Sequence, residues 1–168
     1  HLIARTRFID DEVNKGVNEG AEQYVILGAG YDLRAYRLDL PPSLQIFEVD
    51  QLEVQARKRA KLPNNLPNAN NVVYVNIDFN HQSLSKQLLA AGFDQTKSTI
   101  FTLEGVSQYI SKEALDSTLQ ELAELSQGTH STFIISYVDE LLNNDPIRCF
   151  GDGYHNAVKR AELIKGLA

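Results

Sequence analysis

The chain has 168 residues, of which 43% are hydrophobic and 23% are charged, which is enough for one domain with a hydrophobic core. Its net charge of −6 argues against nucleic acid or an anionic membrane surface as the main partner. Cys149 is the only cysteine, so an intrachain disulfide and a cysteine-based metal cluster are excluded, and a reducing, cytoplasmic location is favoured.

Short β-like segments alternate with helical ones, which predicts an α/β fold with a mostly parallel sheet and helices on both faces. The predicted strands are rich in Val, Ile, Phe or Tyr and contain no proline, as expected of strands buried on both sides. In chain order they are Tyr24–Leu27, Gln45–Val49, Val72–Ile77, Thr99–Leu103 and Thr132–Val138. These apolar runs are far too short to cross a bilayer.

Helices are predicted where apolar residues recur every three or four positions. The first extends from about Ile9 to Val17 and ends near Gly20, and the second follows Asp50, which forms a candidate capping box with Glu53. The other three are marked by Leu84, Leu88 and Ala91 before Gly92, by Leu115, Leu119 and Leu122 between the cap Ser111 and Gly128, and by Ala157, Ala161 and Ile164. The Asn and Pro residues of Pro63–Asn71 predict a surface loop.

The turn after the first strand has the sequence Gly28-Ala29-Gly30, in which the glycines allow a ligand to approach the bare backbone closely. A dinucleotide fingerprint would have a third glycine where this chain has Leu33. Asp32 would place a carboxylate near the phosphates of a dinucleotide. A cationic nucleoside without phosphate, such as S-adenosylmethionine, fits this turn better.

Three successive predicted strands end in a carboxylate: Asp50, Asp78 and Glu104. Open α/β sheets bind ligands at the carboxyl ends of their strands, and an acidic residue about 20 positions after the glycine turn binds ribose hydroxyls. Each residue also has a structural alternative: Asp50 as a helix cap, Asp78 as the start of a loop and Glu104 as a solvated loop acid. Their convergence favours a nucleoside site.

These residues lie in segments that resemble the leucine carboxyl methyltransferase family, especially its bacterial branch of S-adenosylmethionine-dependent methyltransferases. The segments follow the family's order and spacing and cover most of the chain. They are ARTRFIDD, Ala4–Asp11; VILGAGYDLRAYRL, Val25–Leu38; FEVDQLEVQARKRA, Phe47–Ala60; VNIDF, Val75–Phe79; LEGVSQYIS, Leu103–Ser111; and ISYVD, Ile135–Asp139.

The resemblance implies a role for each matching residue in binding S-adenosylmethionine. Arg5 would bind the methionine carboxylate, and Gly28, Ala29 and Gly30 would pass under the methionine and ribose. Asp50 would accept from both ribose hydroxyls, and Asp78 from the adenine amino group. The Phe79 amide would contact the adenine ring, Glu104 would lie near the ammonium and the reacting end, and Tyr109 would border the acceptor pocket.

The resemblance implies a class I, Rossmann-like methyltransferase that acts on a carboxylate or hydroxyl of a small molecule. A carboxylate acceptor needs no general base, whereas a hydroxyl does. The candidates for that base are Glu104 and Tyr109, with His130 and His155 ranked below them. The chain has neither the H-E-x-x-H spacing of a zinc site nor a G-x-S-x-G nucleophile elbow, so no metal site is expected.

Two alternatives stay open: an NAD-binding oxidoreductase, disfavoured by Leu33 and Asp32, and an S-adenosylmethionine-binding module without catalysis. Members of the family usually run to about twice the ~150 residues of a typical domain. They carry helices before the ARTRF segment and further strands after the last matching segment. We therefore expect residues 1–168 to form one methyltransferase domain that is partial at both ends.

Overall fold

The computed structural model describes residues 2–137 and, for the backbone alone, residues 163–165. In chain order the helices are α1 (Leu2–Asn18), α2 (Arg34–Arg37), α3 (Leu52–Arg59), α4 (Leu84–Ala90) and α5 (Lys112–Leu125). The strands are β1 (Gln23–Leu27), β2 (Gln45–Asp50), β3 (Val72–Asn76), β4 (Thr99–Leu103), β5 (Thr132–Ser136) and β6 (Leu163–Lys165). The five strands predicted from the sequence are confirmed, and each observed bound lies within two residues of the predicted one. Val138, the last residue of the fifth predicted strand, lies outside the described residues.

The strands form one sheet in the order β3-β2-β1-β4-β5-β6. The first five are parallel, and β6 pairs antiparallel with β5 at the edge. The predicted α/β fold with a mostly parallel sheet is therefore confirmed. Because β1 lies between β2 and β4, the turn that follows β1 lies where the chain connections diverge to the two halves of the sheet, which is the usual ligand-binding position in such sheets.

Helices cover both faces of the sheet, as predicted. Strand side chains alternate between the faces, so Val25 and Leu27 contribute to a core under α4 and α5, whereas Tyr24 and Ile26 contribute to a core under α1 and α2. In the first core the rings of Phe47, Phe93, Phe101 and Phe133 contact one another in succession. These two cores fix the ends of β1, β2 and β4 relative to one another.

The helices predicted before Gly20, after Asp50, before Gly92 and after Ser111 are confirmed as α1, α3, α4 and α5, whereas the last predicted helix and one predicted cap are wrong. Ser111 caps α5, since its hydroxyl accepts from the Ala114 amide, and α1 does end just before Gly20. Ile164 lies in β6, where its backbone pairs with that of Ile135, so the last predicted helix is wrong at this residue. A spacing of two alanines and one isoleucine supplies little apolar surface for a helix, whereas the sheet edge supplies hydrogen bonds. Ala157 and Ala161 lie outside the described residues.

The capping box predicted at Asp50 and Glu53 is also wrong. The residue that caps α3 is Gln51, and its side chain makes no capping hydrogen bond. The helix α2, which has four residues, and a 3-10 turn at Ala69–Asn71 were not predicted, because such short segments show no periodicity. Within the described part of the chain, no helix combines the length and apolarity needed to cross a membrane.

Candidate functional site

Two adjoining clefts open at the carboxyl edge of the sheet, and Gly28 and Gly30 line both. The first, here called the charged cleft, has a volume of about 490 Å³ and lies between α1, the turn after β1 and the end of β4. The second, here called the aromatic cleft, has a volume of about 360 Å³ and lies between the ends of β1, β2, β3 and β4. The glycine turn is therefore the shared wall of a continuous surface for one extended ligand.

The glycine turn has a backbone that requires glycine at position 28. Gly28 has a φ of +62°, and a Cβ placed on it would lie 2.2 Å from Cγ2 of Val106. The turn is tied to the neighbouring strand, since the amide of the buried Ala29 donates to the Val49 carbonyl at 3.1 Å. Gly30 also has a positive φ. The tight turn predicted for this segment leaves bare backbone exposed to both clefts.

Asp50 ends β2 and turns its carboxylate toward the glycine turn. Its Oδ2 accepts from the Gly30 amide at 2.6 Å, and its Oδ1 accepts from the Gln51 amide at 2.7 Å. The interpretation of Asp50 as a helix cap is thus replaced by a link between β2 and the glycine turn. A carboxylate accepts up to about four hydrogen bonds, so Asp50 retains capacity for a ligand in the aromatic cleft.

Asp78 and Phe79 form the opposite side of the aromatic cleft, in the loop after β3. Asp78 accepts from the Asn80 amide at 3.0 Å, and its other oxygen lies 2.8 Å from Nδ1 of His81. The hydrogen bond with His81, followed by that from Asn80, holds the pKa of Asp78 below its ordinary value. Phe79 is half-buried against the core under α4 and α5.

Tyr109 lines the aromatic cleft as well, on the side of the loop after β4. Its side chain is 78% exposed, so it lies at the mouth of the cleft rather than in its floor. Glu104 lines the charged cleft instead. The two residues that the sequence suggests for catalysis therefore face different halves of the site.

Arg5 and Glu104 meet in the charged cleft, although they lie 99 positions apart in the sequence. The Arg5 Nε is 2.6 Å from the Glu104 Oε1, and both side chains are largely buried. Helix α1 carries Arg5 to the end of β4, where Glu104 follows the last strand residue. A cation and an anion thus stand side by side at one end of the site.

Arg34 is the residue that organises the charged cleft, and the sequence interpretation gave it no role. Its side chain is 3% exposed and donates to Asp10 at 2.8 Å, to Asp32 at 2.5 Å and to Glu104 at 2.6 Å. Burial would lower the pKa of Arg34, but the charge of Asp32 and its other carboxylate neighbours raises it. An arginine beginning a short apolar segment, in the motif G-Y-D-L-R, was the available signal for a buried cation.

Asp32 is not a free carboxylate for a ligand, which corrects the reason given for preferring a cationic nucleoside. One oxygen accepts from the Arg34 amide at 2.7 Å and the other from the Arg34 side chain. Together with Asp10 and Arg37, the charged cleft and its support contain three arginines and three carboxylates, so the network is formally neutral. Asp32 compensates Arg34 rather than attracting a positive ligand.

The structure brings together all the predicted binding residues at one edge of the sheet. The charged cleft is lined by Arg5, Gly28, Ala29, Gly30 and Glu104, and the aromatic cleft by Gly28, Gly30, Asp50, Asp78, Phe79 and Tyr109. His130 precedes β5, at the amino ends of the parallel strands, whereas both clefts open at their carboxyl ends. His130 therefore lies away from both clefts. His155 lies outside the described residues.

This arrangement suits a ligand that carries both charges at one end and hydroxyl and amino donors at the other. In the charged cleft, Arg5 can bind an anionic group through its planar guanidinium, and Glu104 can bind a cationic group. In the aromatic cleft, Asp50 and Asp78 offer carboxylate oxygens beside the half-buried ring of Phe79. The residues that line both clefts are Gly28 and Gly30.

Known proteins resemble the chain in sequence and in fold. A Rhodococcus jostii protein named "Putative S-adenosyl-L-methionine-dependent methyltransferase" is 38% identical over 97% of this chain and 57% of its own length. A protein of the same name from Mycobacterium marinum is 39% identical over 74% of this chain and 40% of its own length. The chain thus spans about half the length of the curated relatives that it matches.

Among solved structures, a DUF574 family protein from Streptomyces avermitilis superposes on this chain with a TM-score of 0.60 at 17% sequence identity. The match covers 98% of this chain and 65% of the length of that protein. A Thermobifida fusca protein described as a putative methyltransferase matches 81% of this chain with a TM-score of 0.56 at 16% identity. These two likenesses support the fold.

The profile of the leucine carboxyl methyltransferase family matches residues 1–123, which include every residue that lines the two clefts. The chain belongs to the leucine carboxyl methyltransferase family.

Proposed function

We propose that this chain binds S-adenosylmethionine across the two clefts and forms the cofactor-binding part of a methyltransferase that acts on an oxygen acceptor of a small molecule. The single observation that carries the proposal is that the glycine turn joins the Arg5–Glu104 pair on one side to Asp50 on the other. The names of the Rhodococcus and Mycobacterium relatives agree with this assignment.

The residues present fit the cofactor in both shape and donor chemistry. Arg5 would hold the carboxylate of the methionine part, and Glu104 its ammonium, so the ligand replaces the direct contact between them. Asp50 would accept from the ribose hydroxyls, and Asp78 from the adenine amino group beside Phe79. A Cβ on Gly30 would meet only the Gly28 carbonyl oxygen, at 3.8 Å, so the space beside Gly30 stays open for the middle of the ligand.

When bound, the cofactor supplies a methyl group on a positively charged sulfur. The role of this chain's residues is to bind, to orient and to exclude water, and orientation alone supplies up to about 7–11 kcal/mol of a displacement barrier. Arg34 holds one oxygen of Glu104 and the ammonium of the cofactor would take the other, so Glu104 serves for binding rather than as a general base. A carboxylate acceptor, which needs no base, agrees best with this site. Tyr109, at the mouth of the aromatic cleft, borders the acceptor in this proposal.

We also propose a domain organisation and a cellular location for the chain. The residues from 1 to 168 contribute one S-adenosylmethionine-binding domain, of which the two clefts belong to residues 5–110. The protein acts in the cytoplasm, which agrees with its single cysteine.

Calorimetric titration of the chain with S-adenosylhomocysteine and with NAD tests the proposal. We expect binding of S-adenosylhomocysteine and no detectable binding of NAD, because Leu33 stands where a dinucleotide-binding turn has its third glycine. Tighter binding of NAD would overturn the assignment in favour of an oxidoreductase.

Catalysis is tested separately with the methyl-labelled cofactor and extracts of small carboxylic acids and alcohols. Labelled ester or ether products support the methyltransferase. Binding of S-adenosylhomocysteine without labelled product would instead favour a module that binds the cofactor without catalysis.

A further inference from the structure

A buried ion pair lies beneath the glycine turn, outside the two clefts. Glu48, in the middle of β2, is 0% exposed, and Lys58, in α3, is 2% exposed. The Lys58 Nζ lies 2.8 Å from the Glu48 Oε1, while no partner within the described residues hydrogen-bonds to the Glu48 Oε2. Burial raises the pKa of Glu48, and the charge of Lys58 opposes this effect.

Stability alone does not account for this pair. Burying two charges costs several kcal/mol each, and an apolar pair of the same volume is often as stable or more so. On the same face of the sheet, Glu48 has as neighbours Ile46 in β2 and its partner Ile26 in β1, both apolar and buried, so the position itself favours an apolar residue. We therefore explain the buried ion pair by the second group that Lys58 binds, the backbone carbonyl of Asp32.

Lys58 also donates a hydrogen bond to the backbone carbonyl of Asp32, two residues after the glycine turn. The Asp32 amide in turn donates to the Ala29 carbonyl at 2.7 Å, which closes the turn. The Asp32 carboxylate holds Arg34, and Arg34 holds Glu104 in the charged cleft. Lys58 thus connects β2 to both the turn and the charged cleft.

The same helix links Lys58 to the aromatic cleft. Helix α3 begins two residues after Asp50, whose carboxylate accepts from the Gly30 amide. The turn is thus held at Gly30 by Asp50 and at Asp32 by Lys58. The hydrogen bond between Gly30 and Asp50 faces the aromatic cleft. The hydrogen bond between Lys58 and Asp32 supports the residues of the charged cleft.

We propose that Glu48 and Lys58 are positioning residues that fix the glycine turn, so that the charged and aromatic clefts are aligned for a single ligand; this inference rests on the proposed function. Glu48 keeps the Lys58 ammonium beneath the turn, and Lys58 keeps the Asp32 carbonyl in place. Neither residue touches the ligand. Loss of the pair penalises a ligand that spans both clefts more than one that occupies the aromatic cleft alone.

The test compares two ligands on the wild-type chain, on Lys58→Met and on the double variant Glu48→Gln/Lys58→Met. S-adenosylhomocysteine spans both clefts, whereas 5′-methylthioadenosine lacks the amino acid part. Calorimetry is expected to show a Kd for S-adenosylhomocysteine weakened about tenfold or more in both variants, and a Kd for 5′-methylthioadenosine changed less than about threefold. Gln23→Met is the matched control, because Gln23 is 2% exposed and hydrogen-bonds Asp94 and Thr99 at the opposite edge of the sheet.

Equal weakening of the two ligands, or weakening no greater than in Gln23→Met, overturns the positioning role while the proposed function stands. Failure of the wild-type chain to bind S-adenosylhomocysteine overturns the proposed function itself.

Should the Lys58 variants fail to fold, Glu48→Gln provides the second measurement, because glutamine retains an acceptor for Lys58 without the charge. Hydrogen exchange in this variant is expected to be faster at the amides of Gly30 and Arg34, which the Asp50 and Asp32 carboxylates hold. Exchange at the amide of Ile100, in the middle of the sheet, should stay as in the wild type. Unchanged exchange at Gly30 and Arg34 overturns the inference.

Discussion

Gly28 has a positive φ, and a side chain at this position would clash with the buried Val106. Replacing it with alanine forces a strained backbone and a clash with a β-branched side chain that has little rotamer freedom. We expect Gly28→Ala to lower the free energy of unfolding by at least about 2 kcal/mol, measured by urea denaturation. Gly105→Ala is the control, because Gly105 has a φ of +69° but open space around a Cβ. An equal loss in both variants would mean that backbone strain alone acts at Gly28.

Asp50 is the residue whose carboxylate is shared between the glycine turn and the proposed ribose site. Asp50→Asn keeps the shape but removes the charge that strengthens each hydrogen bond, worth about 1.5–3 kcal/mol. We expect the affinity for S-adenosylhomocysteine to fall about tenfold or more, measured by calorimetry. Asp94→Asn, which alters a carboxylate held by Thr96 before β4, should leave that affinity unchanged. An unaltered affinity in Asp50→Asn would show that Asp50 supports only the turn.

The sequence predicted the residues that line the clefts better than those that support them. Asp50 and Glu104 could be found because each ends a strand, and strand ends meet at one edge of a parallel sheet. Arg34 and Lys58 could not, because their partners lie 70 and 10 positions away and meet them only once the helices pack on the sheet. The free charge expected of Asp32 was wrong for a different reason, since its partner Arg34 lies only two positions away and the turn brings the two side chains together.

Besides the pair between Arg5 and Glu104, helix α1 is held to the site through the carboxylate of Asp10. Burial acts to raise the pKa of Asp10, but the hydrogen bonds from Arg37 and Arg34 outweigh it and hold that pKa below the ordinary value. A lowered pKa in the folded state means that this stabilisation is present above the unfolded-state pKa of about 3.9 and is lost as the pH falls through the folded-state pKa.

We therefore expect Asp10→Asn to lower the free energy of unfolding by about 2–3 kcal/mol near neutral pH, where the wild-type carboxylate is charged. The difference from the wild type should shrink as the pH falls below ~4, measured by denaturation over a series of pH values. Asp11→Asn is the matched control, since Asp11 pairs with Arg7 on the exposed face of α1 and should change stability by less than about 1 kcal/mol. A difference that grows on acidification would contradict this linkage.

At the scale of elements, the strands were predictable and the short helices were not. A run such as Thr99–Leu103 carries its own signal, because buried β-branched and aromatic residues pack well in a sheet. Helix α2 has a single turn, so its position depends on the contacts of Arg34 and Tyr36 rather than on periodicity. The order of the strands depends on pairings between distant segments, which local patterns do not encode, and it was not predicted.

Residues of α1, α2 and α3 and of the turns after β1, β2, β3 and β4 line the clefts, so ligand binding is coupled to the stability of the whole fold. A ligand at about 100 times its Kd stabilises a protein by about 2.7 kcal/mol. For a domain of this size we expect S-adenosylhomocysteine at that concentration to raise Tm by about 5–10 °C, measured by thermal denaturation. NAD at the same concentration should leave Tm unchanged, and Asp50→Asn should show a smaller shift with S-adenosylhomocysteine. An equal shift with NAD would contradict the proposed cofactor.

The two residues that line both clefts, Gly28 and Gly30, carry no side chain. Two weak fragments, one resembling an amino acid in the charged cleft and one resembling adenosine in the aromatic cleft, can therefore be joined by a short tether without crossing a side chain. Once one fragment binds, the other is presented at an effective concentration of about millimolar or higher. The glycine turn thus makes this site suited to inhibitors assembled from linked fragments, whose gain in affinity comes from the linkage rather than from any new contact.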